Sequence, residues 1–180
     1  MKFGPVLVIT GPPGAGKTTL CEALAPCFER TIHIPVDDLR TWVVSGLSES
    51  VNWTDETERQ FQLAEAAASA TAKTYSEAGF AVLIDHCRNL PRLDEVVENH
   101  LRGLPVLKVC LLPTQEITLE RNRTRTNKDF DTVVLEPIIH SVTERYVADK
   151  GRQGWLVIDN STQPLSETAA IVHEQACELF

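Results

Sequence analysis

A glycine-rich octapeptide near the start of the chain constrains the fold more than any other feature of the sequence. Residues 11 to 18 read Gly-Pro-Pro-Gly-Ala-Gly-Lys-Thr and match the pattern G-x-x-x-x-G-K-[ST] at every fixed position. An apolar run at residues 5–10 precedes the octapeptide and indicates a buried strand, and a helix-forming run at residues 20–25 follows it. This order of strand, loop and helix predicts a phosphate-binding loop in an α/β protein.

The spacing within the octapeptide suits the shape of a polyphosphate. Successive backbone N–H groups surround such an anion only where side chains leave room, and Gly11, Gly14 and Gly16 provide that room. We expect the Lys17 ammonium to reach the β- and γ-phosphates of a nucleoside triphosphate, and the Thr18 hydroxyl to bind Mg²⁺. The phosphate-binding set is Gly11, Pro12, Pro13, Gly14, Ala15, Gly16, Lys17, Thr18 and Thr19, the last expected to act mainly as a structural neighbour.

Length and composition favour one well-buried domain that acts on small molecules. The chain has 180 residues, of which 43% are hydrophobic, so we expect a single domain over residues 1–180. The formal charge of −8 disfavours a broad nucleic-acid surface without excluding a local basic rim. No apolar stretch approaches the roughly 20 residues that cross a bilayer. The first residues lead directly into a strand, so we expect a cytoplasmic protein with reduced, buried cysteines; the oligomeric state is open.

The rest of the chain alternates apolar, strand-like runs with helix-forming segments. Further strands are predicted at residues 31–36, 80–85, 105–112 and 155–159. Further helices are predicted from residue 37, between residues 54 and 79, and at residues 91–102, 114–123, 132–149 and 164–179. The alternation predicts a three-layer α/β fold, with a five-stranded parallel sheet between two layers of helices and ligands bound beyond the carboxyl ends of the strands. Residues 121–131 form an arginine-rich, strongly polar stretch.

Other polar motifs distinguish among the classes of nucleotide-binding protein. Residues 127–130 depart from the guanine-binding N-K-x-D because Phe130 replaces the final aspartate. Residues 85–88, Asp-His-Cys-Arg, lack the glycine of the GTPase pattern D-x-x-G and the Asp-Glu pair of an ATPase motor. A kinase instead needs a carboxylate for the acceptor hydroxyl, a carboxylate that supports the metal, and cations over the migrating phosphoryl group. The chain has candidates for all three.

The candidate carboxylates follow two predicted strands. Asp37 and Asp38 begin the helix after the second strand, and Asp85 ends the most apolar strand. Because the carboxyl ends of parallel strands share one edge of the sheet, these groups are expected near the phosphate-binding loop. Asp85 is expected to hold Mg²⁺ through a water or to orient the acceptor. Asp38 is open between metal support and a helix cap, and a capping role is open for Asp37 as well.

With these motifs the chain resembles the small kinases of the polynucleotide 5′-kinase, zeta-toxin and chloramphenicol phosphotransferase group. The resemblance rests on Val-Asp-Asp-Leu at residues 36–39, Arg-Asn-Arg-Thr-Arg at residues 121–125 and Asp-Asn-Ser at residues 159–161, besides the phosphate-binding loop. Adenylate, shikimate and gluconate kinases share the wider fold. The resemblance covers nearly the whole chain.

The resemblance also implies roles for individual residues. It identifies Asp37 as the general base, in preference to Asp38. It also implies a short arginine-rich lid at about residues 121–131, with Arg121 and Arg125 as lid cations that stabilise the transferred phosphoryl group. Together with the motifs, it implies an ATP- and Mg²⁺-dependent kinase that transfers the γ-phosphoryl group to a hydroxyl of a small-molecule acceptor.

The sequence leaves the acceptor open. The predicted acceptor side is flanked by Arg40, Trp42, Trp53 and Arg59, which suit a small polar or ring-bearing molecule. A nucleoside, a nucleotide or a polynucleotide 5′-hydroxyl is an alternative acceptor. A function of another class, a nucleotide-binding regulatory module with slow ATP hydrolysis, is also open.

Overall fold

Over residues 3–124 and 135–179, which the computed structural model describes, the chain forms one parallel sheet flanked by helices. The strands are β1 (Val6–Thr10), β2 (Thr31–Pro35), β3 (Ala81–Asp85), β4 (Val106–Leu111) and β5 (Leu156–Ile158). The helices are α1 (Lys17–Leu24), α2 (Val36–Thr41), α3 (Asp55–Glu77), α4 (Leu90–His100), α5 (Gln115–Thr124), α6 (Glu136–Asp149) and α7 (Leu165–Cys177). The predicted strands and helices are present, and their ends differ from the prediction by a few residues.

The strand order β2-β3-β1-β4-β5 explains the apolar runs of the sequence. Every strand pairing is parallel, and β1 lies at the centre between β3 and β4. All residues of β1 and β3 are buried, because both faces of these strands are covered. Ile9 pairs with Asp85, and Pro35 pairs with Asp85 on the other side, so the carboxyl ends of three strands meet at one edge.

The two larger apolar clusters of the core lie on opposite faces of the sheet. Alternate residues of β1 point to opposite faces, as strand geometry requires: Leu7 and Ile9 pack under α1 and α7, whereas Val6 and Val8 pack under α3 and α4. This arrangement confirms the predicted three-layer α/β fold. The predicted lid at about residues 121–131 is described only up to Thr124, within α5.

Helix α3 departs in detail from the prediction. In the sequence, the 3.6-residue helical period runs through Phe61, Ala64, Ala68, Thr71 and Tyr75. In the structure, the buried stripe of α3 continues from Ala68 through Ala72 and Ser76 instead. These small residues let the end of α3 approach the start of β1, where Ser76 Oγ donates to the Gly4 carbonyl at 2.6 Å. Tyr75 packs edge-on against Phe80 outside the core, with ring centroids 5.3 Å apart.

Two further expectations are settled by the positions of single residues. Pro137 lies in the first turn of α6, where its missing N–H breaks no hydrogen bond, so the helix tolerates it. Of the cysteines, Cys21 and Cys110 are buried, but Cys27 and Cys177 are exposed, which corrects the expectation that all are buried. No helix in the described part of the chain has the length and apolar character to cross a membrane.

Candidate active site

The loop between β1 and α1 turns through three glycines with positive φ. The φ angles are +147° at Gly11, +91° at Gly14 and +94° at Gly16. A Cβ atom on Gly11 would lie 2.3 Å from the Leu111 carbonyl oxygen, and one on Gly14 would lie 2.6 Å from that of Thr118. The loop therefore needs glycine both for its backbone conformation and for its close packing against β4 and α5.

The close contact at Gly14 predicts a large effect for a single methyl group. Gly14→Ala should lower the free energy of unfolding by about 1–3 kcal/mol, because backbone strain and a backbone clash act together. Binding of a nucleoside triphosphate should weaken by about tenfold or more as the loop shifts. Urea unfolding and nucleotide titration measure the two effects.

Gly103 offers a matched control for this substitution. Its φ is +86°, close to that of Gly14, but an added Cβ would meet no atom within 4 Å in the described structure. Gly103→Ala should therefore cost only the backbone strain and leave nucleotide affinity unchanged. Equal losses in the two variants would show that the contact with Thr118 is unimportant.

Lys17 places a cation over the phosphate-binding loop. It is the first residue of α1, and its Nζ donates to the carbonyl oxygens of Gly11 at 3.1 Å and Pro12 at 3.3 Å. The first turn of α1, which is fully described, contains no acidic residue, so the positive end of the helix dipole is not neutralised there. Both features favour an anion at the loop.

Asp85 lies beside the loop, as its strand-end position predicted. Thr18 Oγ1 donates to Asp85 Oδ2 at 2.6 Å, and His33 Nε2 lies 3.6 Å from the same oxygen. Burial raises the pKa of this carboxyl, but His33, Lys17 and Thr18 together lower it below its ordinary value. The adjacent hydroxyl and carboxylate oxygens are ligands of the kind that Mg²⁺ prefers, so these two side chains fit the ion.

Asp37 and Asp38 face the same cleft from α2. Both are exposed, lie in the first turn of α2 and line the cleft together with Lys17 and Asp85. The N-cap position of α2 belongs to Pro35, so neither aspartate occupies it. The structure thus brings the two carboxylates to the predicted edge of the sheet.

The cleft beyond the carboxyl edge has a volume of about 1460 Å³. Pockets for one drug-sized ligand typically measure about 300–1,000 Å³. The cavity therefore has room for two molecules side by side. Its lining comes from the phosphate-binding loop, from α2 and the loop after it, and from α6.

An aromatic wall lines the end of the cleft next to α2. Trp53 stacks on Phe61 with ring centroids 4.8 Å apart and an angle of 11° between the planes. The Arg40 guanidinium lies 3.9 Å from the centroid of Phe61, and its Nη2 donates to the Ser48 carbonyl oxygen at 2.7 Å. Trp53, Phe61 and Arg40 line the cleft, as expected for a site that takes a ring.

The other two residues expected on the acceptor side lie elsewhere. Trp42 is 74% exposed and lies outside the lining of the cleft. Arg59 pairs with Glu56 one turn earlier in α3, with Nε 2.8 Å from Oε2, on the surface of the protein. The sequence placed these residues in the right region, but the direction of each side chain depends on the turn of the helix or loop that carries it.

Arg88 is a cleft residue that the sequence reasoning missed. Its guanidinium donates to both carboxylate oxygens of Glu58, at 2.6 and 3.1 Å, and to Glu65 at 2.8 Å. Glu65 also contacts His86 Nε2 at 3.1 Å and accepts from Arg92 at 2.7 Å. The one available signal was Glu65 itself, a charged residue within the apolar stripe of α3.

The buried Glu65 carboxylate makes stability depend on pH. Burial raises the pKa of this carboxyl, but His86, Arg92 and Arg88 outweigh burial and lower it to about 2. Because the pKa of Glu65 is lower in the folded than in the unfolded protein, its charge stabilises the fold at every pH above the unfolded pKa of about 4.3. This stabilisation is lost as the pH falls toward 2. Glu65→Gln should lower the free energy of unfolding by about 2 kcal/mol at neutral pH and by much less near the acid limit. Urea unfolding across this pH range measures the difference.

Glu95 provides the control for the Glu65 variant. It also pairs with Arg92, with oxygen and nitrogen 2.9 Å apart, but its side chain is 62% exposed. Glu95→Gln should change stability by less than about 1 kcal/mol at any pH. If Glu65→Gln lowered the free energy of unfolding by the same amount at neutral and at acid pH, the role given to the charge of Glu65 would be contradicted.

The arginines of the predicted lid separate into different environments. Arg121 lines the cleft, and its Nη2 donates to the Asn160 carbonyl oxygen at 2.8 Å. Asn160 in turn donates to the Ala15 carbonyl at 2.9 Å, which ties the turn after β5 to the phosphate-binding loop. Arg123 instead pairs with Glu136, with Nε 2.6 Å from Oε1. Arg125 lies outside the described residues.

The strand-loop-helix motif and the strand order are those of a P-loop kinase-like α/β fold. The family model described as chloramphenicol phosphotransferase-like protein matches residues 4–177. The chain therefore belongs to the chloramphenicol phosphotransferase-like family, and it is a phosphotransferase. The resemblance stated from the motifs is confirmed.

Several solved structures share the fold. The tunicamycin resistance protein of Deinococcus radiodurans is 17% identical with a TM-score of 0.67, and the match covers 96% of this chain and 95% of that one. A gluconokinase from Sinorhizobium meliloti 1021 is 19% identical with a TM-score of 0.61, covering 99% and 95%. Shikimate kinase from Acinetobacter baumannii, in complex with shikimate, is 16% identical with a TM-score of 0.64, covering 98% and 95%. None of the curated protein sequences matches the chain.

Proposed function

We propose that the chain is an ATP- and Mg²⁺-dependent kinase that transfers the γ-phosphoryl group to a hydroxyl of a small, ring-bearing acceptor. One observation carries the proposal: Lys17, Asp37 and Asp85 line a single cleft of about 1460 Å³ that has room for a nucleotide and an acceptor. The proposal assigns the loop end of the cleft to the donor and the aromatic end to the acceptor.

The donor end would hold the triphosphate by backbone N–H groups and by charge. Gly11 to Thr19 form the loop, and Lys17 would turn from its carbonyl partners to the β- and γ-phosphates. Thr18 and Asp85 would hold Mg²⁺, with Asp85 acting directly or through a water and Asp38 supporting the ion from α2. When bound, the ion neutralises charge on the phosphate oxygens.

At the acceptor end, Asp37 would receive the proton of the attacking hydroxyl. The hydroxyl oxygen forms a bond to the γ-phosphorus, the bond from that phosphorus to the bridging oxygen breaks, and ADP leaves. The proton passes to the Asp37 carboxylate, whose exposed position in the cleft leaves it accessible to an acceptor. The aromatic wall of Trp53 and Phe61 would orient the acceptor by stacking.

Arginines of the predicted lid would offset charge on the migrating phosphoryl group. Arg121 already lines the cleft beside the loop, where its bond to the Asn160 carbonyl holds it at the donor end. In this proposal Arg121 contacts the nucleotide phosphates, and Arg125 joins it when the lid closes. The role of Arg125 rests on the resemblance to the kinase group.

An acceptor screen tests the proposal. ADP formation from ATP and Mg²⁺ should depend on one class of alcohol in a panel of antibiotics, sugars and sugar acids, cyclic hydroxy acids, nucleosides and 5′-hydroxyl oligonucleotides. The family description and the tunicamycin resistance, gluconokinase and shikimate kinase neighbours motivate the first members. Nucleotide binding that changes affinity for a partner protein, without turnover of any acceptor, would favour a regulatory module instead.

A further inference from the structure

A second set of metal-ligand side chains meets at Asp85, on the core side of the site. Cys21, His33 and Asp85 each place one ligand atom within 4.8 Å of the other two. The strand register explains this meeting: His33 pairs with Leu83 and Pro35 with Asp85, so His33 and Asp85 point to the same face of the sheet. Helix α1 covers that face, and its Cys21 packs in the same apolar cluster as Leu83.

The distances suit a tetrahedral transition-metal ion. Zn²⁺ binds thiolate sulfur at about 2.3 Å and imidazole nitrogen or carboxylate oxygen at about 2.0–2.2 Å, so ligand atoms of a tetrahedral site lie about 3.4–3.6 Å apart. His33 Nε2 already lies 3.6 Å from Asp85 Oδ2. No pair in the cluster has to close by more than about 1.2 Å to reach the tetrahedral geometry.

The His33 ring provides an independent indication of a ligand. Its Nε2 is buried and makes no hydrogen bond within residues 3–124 and 135–179, because its neighbour Asp85 Oδ2 lies at 3.6 Å, just beyond hydrogen-bond distance. A buried polar atom left unsatisfied carries a free-energy cost. A cation bound between the three side chains would accept the lone pair of this nitrogen and remove that cost.

The geometry points to a site where Cys21, His33 and Asp85 bind a thiophilic divalent cation such as Zn²⁺. On binding, the Cys21 thiol proton leaves to solvent as its sulfur coordinates the ion. The fourth position faces Thr18 and the cleft, because Thr18 and Asp85 both line that cavity. The soft sulfur and nitrogen ligands select against Mg²⁺, which prefers oxygen.

Occupation of this site would compete with the proposed kinase reaction. Asp85 is shared: it contacts Thr18 at the proposed Mg²⁺ position and belongs to the Cys21–His33–Asp85 cluster. An ion bound by the cluster would draw the Asp85 carboxylate away from Thr18. Zn²⁺ therefore inhibits Mg²⁺-dependent phosphoryl transfer. This consequence rests on the proposed function, whereas binding of the ion does not.

Titration of the full chain with Co²⁺, a spectroscopic substitute for Zn²⁺, tests the binding. We expect one Co²⁺ per chain, a thiolate-to-metal charge-transfer band, and displacement by Zn²⁺. Cys21→Ala should abolish the band, and His33→Gln should weaken affinity by at least about tenfold. His33 is only partly buried, so this second variant tests the site even if Cys21→Ala fails to fold.

Two other thiols provide controls. Cys110 is buried like Cys21, and Cys177 is exposed with Sγ 3.6 Å from His173 Nε2, which makes it the rival ligand pair. Cys110→Ala and Cys177→Ala should both keep the band. Absence of a thiolate band, its persistence in Cys21→Ala, or its loss in Cys177→Ala would overturn the proposed site.

Inhibition by Zn²⁺ then tests the competition. Cys21→Ala should keep Mg²⁺-dependent turnover and need at least about tenfold more Zn²⁺ for half-inhibition. Equal Zn²⁺ sensitivity of the two proteins would contradict the competition at Asp85. If the protein transferred no phosphoryl group but still gave a Co²⁺ band that depends on Cys21, the metal site would be supported and the proposed function would fail. The two failures are therefore distinguishable.

Discussion

Replacing Asp37 with asparagine is expected to lower kcat for phosphoryl transfer by about 10²- to 10⁴-fold. The amide has nearly the shape of the carboxylate but cannot take the proton of the acceptor hydroxyl. Asp37 is exposed in the first turn of α2, so the substitution should leave stability nearly unchanged. Nucleotide affinity should also be unchanged, because the donor end of the cleft is untouched. Steady-state kinetics and nucleotide titration of the same preparation measure both quantities.

Asp38 provides the control for the Asp37 variant. It is the next residue of α2, is also exposed and lines the same cleft. Asp38→Asn should lower kcat by about tenfold at most, since its carboxylate supports the metal only from a distance. If kcat fell more in Asp38→Asn than in Asp37→Asn, Asp38 would be the general base and Asp37 the residue that supports the metal. If kcat fell in neither variant, the general base would not lie on α2.

Lys17→Met is expected to lower kcat/KM by about 10²- to 10³-fold, the usual effect of removing one group that stabilises transition-state charge. Methionine keeps an unbranched side chain but has neither the ammonium charge nor its hydrogen bonds. Lys17 Nζ is bonded only to loop carbonyls, Gly11 and Pro12, among the described residues, so the charge is available to a phosphate. Most of the loss should appear in kcat, because charge develops on the phosphoryl oxygens during transfer.

A lysine far from the cleft separates charge loss from a general effect of the substitution. Lys73 lies on the exposed side of α3 and outside the lining of the cavity. Lys73→Met removes the same charge and should leave kcat/KM within about a factor of two. Kinetics for Lys17→Met that match those of Lys73→Met would contradict the assignment of the donor end.

The donor end of the site could be predicted because its geometry is local. The loop from Gly11 to Thr18 lies between a strand and a helix that the sequence pattern reveals directly. Asp85 could be predicted because a fully apolar run ending in aspartate marks the carboxyl end of a buried strand. These positions depend on short-range pattern and on a general rule of parallel sheets.

The acceptor end could be predicted only in part, because it depends on contacts between distant segments. Arg88, in the loop after β3, donates hydrogen bonds to Glu58 and Glu65 of α3. Their spacing in the sequence does not indicate that these residues are in contact. At the donor end, the contact between His33 and Asp85 also requires β2 to lie next to β3, an order that alternation of strands and helices leaves open. Whether a side chain of a helix faces the cleft also depends on its position around the helix axis, as Arg40 and Arg59 show.

Phosphorus NMR of a complete reaction tests the central claim most directly. The chain, ATP, Mg²⁺ and the acceptor found in the screen are mixed, and the fate of the γ-phosphorus is followed. We expect one phosphate ester of the acceptor for each ADP formed, and neither product with Lys17→Met over the same period. Release of the γ-phosphorus only as inorganic phosphate, at a rate independent of every acceptor, would contradict the account.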